Sequence, residues 1–164
     1  MDALTWTWRP ATLPDVDVMI DLSRQNFESE VSDIFVVDPI ASGRNLAQAV
    51  VTQYYQPLVE LVSVAEDHTH KIIAWTWARA TDTAPWSDQR MVLARMAAVE
   101  MSLSARTRIQ LIQDMLALWE GLAGFAGINI VCSSSMRHDH VAFMRIHQRA
   151  GYTVRGSNAY KLLK

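Results

Sequence analysis

The chain has 164 residues, 50% of them hydrophobic and 20% charged, with a formal net charge of -2. That composition supplies one buried core, excludes a disordered chain, and lacks the strong positive field of a nucleic-acid binder. The single cysteine, Cys132, excludes an internal disulfide and a cysteine-based zinc site, and no basic leader or run of ~20 apolar residues is present. One soluble domain, 1–164, is therefore expected in a reducing, cytoplasmic compartment, without nucleic-acid or membrane partners.

Period-two alternation of Trp and Thr predicts a first strand over 5–9, ended by Pro10. After Pro14, Val16, Met19, Ile20 and Phe27 fall at helical spacing, with Asp15 and Asp17 at the end where the helix dipole favours acid, so a helix is predicted over 15–26. A second helix over 39–56 stops before Pro57. Two alternating runs, 59–65 and 72–80, flank the polar connection 66–71 and predict an antiparallel hairpin. A loop over 81–90 precedes a central strand over 91–101. Residues Ile109, Ile112, Met115, Leu116, Trp119 and Leu122 then recur at three and four, predicting a long amphipathic helix over 105–125. A buried strand over 127–132, a polar stretch 133–139 and a helix over 140–150 follow. Gly151 ends that helix, and Tyr152 starts a last hairpin that returns over 158–163.

The result is a mixed α/β chain, with a mostly antiparallel sheet of six to seven strands and about four helices. This order, with the segment from His140 through Arg149-Ala150-Gly151-Tyr152 and the closing Tyr160-Lys161-Leu162-Leu163, resembles the GCN5-related N-acetyltransferases. The resemblance implies acetyl-CoA as co-substrate, held in a split between the fourth and fifth strands, and an amine-bearing small molecule or protein as acceptor. It places the pyrophosphate on the start of the helix that follows the fourth strand, where unpaired N–H groups and a partial positive charge attract anions.

In this chain the implied cofactor contacts are Met101, Leu103, Arg106, Thr107, Arg108, Ile109 and Gln110, with His140 at the start of the later helix. The family's phosphate loop carries small residues where Arg108 and Gln110 stand here. Glycine lets pyrophosphate approach the backbone, whereas guanidinium groups at Arg106 and Arg108 neutralise phosphate directly. Transfer to an amine also needs a base and an acid. Glu100, at the end of the fourth strand, is the base candidate. His147 stands where many members carry a tyrosine acid, four residues before the Gly-aromatic step, and is the acid candidate.

Other features read more plainly. His68-Thr69-His70 and His138-Asp139-His140 are solvated turn residues, with no converging third ligand for a metal. Ser133-Ser134-Ser135 before His138 lacks the Gly-x-Ser-x-Gly elbow of a nucleophilic hydrolase. Trp6 with Trp8, and Trp75 with Trp77, share strand faces that pack on a helix, line the cleft, or build a homo-oligomer interface. A second functional reading keeps the fold without catalysis, as a binding or structural component of a larger assembly such as a virus particle.

Overall fold

A computed structural model describes residues 5–135, 140–156 and 161. The alternating segments become a five-stranded sheet in chain order: β1 (Trp6–Pro10), β2 (Glu60–Asp67), β3 (Ile72–Thr83), β4 (Arg90–Val99) and β5 (Val131–Cys132). The first four pair antiparallel, and β5 joins β4 in parallel. Helices α1 (Val16–Glu30) and α2 (Pro39–Tyr55) cover one face, while α3 (Ala105–Phe125) and α4 (His140–Arg149) cover the other. The mixed α/β class is the one the sequence predicts.

The strand count is not. Five strands stand among the described residues where six to seven are expected. Residues 152–156 are not in a strand, and most of the expected return over 158–163 lies outside the described residues. The strand expected over 127–132 pairs only through Val92↔Val131 and Leu93↔Cys132. In the other direction, Asp82↔Met91 and Thr83↔Arg90 carry the β3–β4 hairpin into the expected loop.

Each face of the sheet has its own core. On one side Leu111, Met115, Leu116, Trp119 and Leu122 of α3 pack on Ile73 and Val92; on the other Met19, Leu46 and Val50 pack on Val62, Val64 and Trp75. Buried indoles need an acceptor. Trp119 Nε1 donates to Thr76 Oγ1 at 2.9 Å, and Trp75 Nε1 to Ser23 Oγ at 3.1 Å. Trp6 and Trp8, two residues apart on β1, both donate to Asp114 Oδ2 of α3, at 2.8 and 3.1 Å. Trp6, Trp8 and Trp75 thus pack against helices, one of the uses expected of the paired tryptophans, whereas Trp77 Nε1 donates to Glu60 Oε2 of the neighbouring strand at 2.7 Å. Removing a side chain as enclosed as Trp119 costs ~3–5 kcal/mol.

Two helix ends bear on the site. Ser104 caps α3, its hydroxyl accepting from the Thr107 N–H at 3.1 Å. At the end of α4, Gly151 has φ of 92° and the Tyr152 N–H reaches back to the His147 carbonyl at 3.0 Å. That left-handed cap is open to glycine and strained for other residues. It sets the Tyr152 ring edge-on to His147, with centroids 5.3 Å apart.

Candidate functional site

Parallel pairing of β4 with β5 stops at Leu93↔Cys132, so the rest of β4 has no neighbour on that edge among the described residues. A cleft of about 880 Å³ opens there, with β4 residues 93–99 as its floor. One wall is the start of α3, at Ala105, Arg108, Ile109 and Ile112. Residues 133–135 and α4 form the next, and the end of α1 with residues 35–38 closes the far side. A volume near the upper end of the ~300–1,000 Å³ range of ligand pockets suits a large, extended molecule. The floor is irregular as well: pairing steps from Ala78↔Ala94 to Trp77↔Met96, leaving Arg95 as an extra residue. Its guanidinium lies 5.8 Å from the Trp77 ring centroid.

Of the expected cofactor contacts, Met101, Arg108 and Ile109 line the cleft. Arg108 lies along the wall, its Nη1 3.6 Å from Met101 Sδ, and its buried Nε has no hydrogen-bond partner. Gln110 turns away and donates to Asp114 Oδ1 at 3.2 Å. Leu103 packs on the core beside α3, Thr107 is tied to Ser104, Arg106 is exposed, and His140 is exposed at the start of α4; none of these four lines the cleft.

Glu100 is not brought to the cleft either. It follows the last residue of β4, its N–H bonds the Ile73 carbonyl at 2.8 Å, and its carboxylate meets Lys71 Nζ at 3.1 Å. Partial burial works to raise its pKa. The Lys71 ammonium and the Ser102 N–H and hydroxyl outweigh that, holding the carboxyl below its ordinary range. A carboxylate so paired is a poor proton acceptor.

His147 is 1% exposed, among Trp119, Phe143 and Tyr152. Its Nδ1 is 3.1 Å from the Phe143 carbonyl and its Nε2 3.0 Å from Ser133 Oγ. Burial lowers its pKa below the free-histidine value, so the neutral ring prevails near pH 7. A carbonyl only accepts, hence Nδ1 carries the hydrogen and Nε2 accepts from the Ser133 hydroxyl. The ring reaches the cleft through Ser133, which lines it.

No protein-family model and no curated relative matches the chain by sequence. Solved structures do match in three dimensions. The predicted acetyltransferase of Clostridium acetobutylicum, solved with acetyl-CoA, aligns with a TM-score of 0.72 at 13% identity, over 98% of this chain and 96% of that one. Glucosamine-6-phosphate N-acetyltransferase from Arabidopsis thaliana aligns with a TM-score of 0.68 at 14% identity, over 98% and 99% of the two chains. An aminoglycoside N-acetyltransferase in complex with CoA gives 0.69 at 13%, over 99% and 97%. This chain has the fold of the GCN5-related N-acetyltransferases.

Within that acetyltransferase fold, several cleft residues escaped the reading of the sequence. Arg145 and Arg149 of α4 belong to the cleft lining, as Arg108 does. Their spacing of four on one helix puts them on one face, a signal that was present but unassigned. Ser133, Ser134 and Ser135 also line the cleft; His138, once considered beside them, lies outside the described residues. Among the described residues no three His, Cys, Asp or Glu side chains converge to hold a metal, and no helix is long and apolar enough to cross a membrane.

Proposed function

We propose that the chain binds acetyl-CoA in the β4–β5 split and transfers the acetyl group to an amine. The observation that carries this reading is the open cleft beside β4, with Arg108 of α3 and Arg145 and Arg149 of α4 in its lining. Guanidinium groups in the cleft lining, Arg108 in the first turn of α3 among them, supply positive charge for phosphate where a glycine loop supplies close backbone approach. Arg108 lies along the wall against Met101 and leaves the volume open, which favours a working site over an obstructed one. The edge of β4 beyond Leu93, unpaired among the described residues, offers backbone N–H groups to the thioester carbonyl, the kind of donor that stabilises a developing oxyanion. The acceptor enters from the side of α1 and residues 35–38, where Glu30 and Asp38 give the wall a sign that suits an ammonium group.

A transfer assay tests the proposal. The chain is incubated with acetyl-CoA and a panel of amines (an aminoglycoside, an amino sugar phosphate, a polyamine and a peptide amino terminus) while free thiol and acetylated product are followed. Amine-dependent thiol release with a product heavier by one acetyl group is expected. Its absence across the panel, with acetyl-CoA bound, would remove amine transfer from the account.

A further inference from the structure

We propose that the acceptor half of the cleft holds an anion-binding subsite on Arg95, and hence that the acceptor is an amine that also carries a carboxylate or phosphate group. This deepens the acetyl-CoA reading and rests on it for the transfer step. Arg95 is the extra residue of the β4 bulge, where pairing with β3 steps from Ala94 to Met96, and it lines the cleft two residues beyond the last β4–β5 pair, Leu93↔Cys132. A bulge re-aims a side chain, and this one brings the guanidinium to 5.8 Å from the Trp77 ring centroid. Trp77 packs with Met96 on the core of the α1–α2 face of the sheet. Arg108, Arg145 and Arg149 belong to α3 and α4, which cover the opposite face. An anion on Arg95 therefore sits across the sheet from the pyrophosphate region and is part of the acceptor, not of acetyl-CoA.

The neighbours of Arg95 hold it without using up its donors. Glu60, 3% exposed, accepts from Trp77 Nε1 at 2.7 Å through Oε2 and meets Arg79 Nε at 3.2 Å through Oε1. Both oxygens of Glu60 are thereby engaged, and they fix the indole beside which Arg95 lies. Among the described residues, Asp82 is the carboxylate that pairs with Arg95, and its Oδ1 stands 3.9 Å from Nη1, beyond hydrogen-bond distance. A guanidinium presents five N–H donors in a planar fork that matches carboxylate or phosphate bidentately. One long contact to Asp82 leaves that fork open to a ligand. Glu30 and Asp38 line the same cleft on the side of α1 and α2 and supply the opposite sign. Positive charge in the floor and negative charge on that wall complement a molecule that carries both, its amine towards the acids and its anionic group on Arg95. An amine without the anionic group leaves the Arg95 fork unfilled, which is how the site discriminates against it.

The experiment compares the wild-type chain with Arg95→Gln and Arg95→Lys on matched acceptors in the presence of acetyl-CoA: phenylalanine against phenethylamine, 4-aminobutyrate against butylamine, and glucosamine 6-phosphate against glucosamine. Thiol release and acetylated product give kcat/KM for each amine, while thermal unfolding and an acetyl-CoA titration establish that each variant is folded. In at least one pair the anionic member should exceed its neutral partner in kcat/KM by about 10- to 100-fold, the range of one charge-assisted contact. Arg95→Gln should bring that ratio close to one, chiefly by raising KM for the anionic member, and Arg95→Lys, which keeps the charge without the fork, should retain part of it. A preference in the amino-acid pairs identifies a carboxylate as the ligand of Arg95, and a preference confined to the sugar pair identifies a phosphate. Equal transfer to both members of every pair, or a preference that survives Arg95→Gln, would overturn the subsite and leave acetyl transfer standing. No transfer to any of the six amines would overturn both.

Discussion

Replacing Arg108 with alanine separates a phosphate ligand from an obstruction. The Arg108 Nε is buried without a partner, so the free protein holds a dehydrated donor that an anion in the cleft would satisfy. A hydrogen bond to a charged group contributes ~1.5–3 kcal/mol, and partial exposure of this side chain argues for the lower half. A loss of about 2 kcal/mol corresponds to about 30-fold weaker acetyl-CoA binding. The assay is calorimetry on both proteins at low and high salt. Screening shortens from ~10 Å at 0.1 M to ~3 Å at 1 M, so the gap between the two should narrow as salt rises. The fold should be little affected, since the guanidinium's only described contact is the weak one to Met101. Equal or tighter binding by Arg108→Ala would refute the argument and identify the side chain as an obstruction.

Three further outcomes follow from the packing. Asp114→Ala strands the indole donors of Trp6 and Trp8, and should cost about 2 kcal/mol in urea unfolding, with Asp114→Asn losing roughly half of that; a change below ~0.5 kcal/mol would show that β1 is held otherwise. Asp15 is hydrogen-bonded by Arg9, which outweighs burial and holds its pKa at about 2 against an ordinary 3.8. Its folded pKa is depressed, so the stabilisation, about 2 kcal/mol at most, is complete above pH 3.8 and lost as pH falls through about 2; the stability gap between wild type and Asp15→Asn should close over that window, and a pH-independent gap would contradict the pairing. Gly151→Ala meets no neighbouring atom, yet must hold φ of 92°, so it should lower stability by ~1–2 kcal/mol through backbone strain alone, and an unchanged melting temperature would contradict the cap.

The long elements could be read from the chain because their periodicity is their packing. The helix expected over 105–125 is α3 to the residue, since its apolar side chains at three and four spacing are those that cover the sheet. The helix over 140–150 and its Gly151 stop are likewise local chemistry. Edges failed where partners decide. Residues 127–130 have strand composition, but Gly127 at φ of 65° and the Ile128 N–H on the Ala123 carbonyl keep the start of the segment tied to the end of α3, and only the Ile130 carbonyl reaches β4, accepting from the Val92 N–H at 2.9 Å. Residues Asp82 and Thr83 look like loop and are paired strand, because Met91 and Arg90 lie opposite.

At the site, a cleft beside β4 is what the family resemblance implies, but side-chain directions were not legible in the sequence. Glu100 and Met101 are neighbours; one turns to Lys71 and the other into the cleft, a difference settled by the turn after Val99. Gln110 is drawn off by Asp114, whose own role depends on β1, a hundred residues upstream. The Ser133–His147 contact likewise needs the third dimension to be seen.

The most direct test of the central claim is a calorimetric titration of the wild-type chain with acetyl-CoA at fixed salt. The account predicts one site of micromolar affinity, on the order of -8 kcal/mol, weakened by loss of Arg108. Absence of binding at millimolar acetyl-CoA by the folded protein would contradict it.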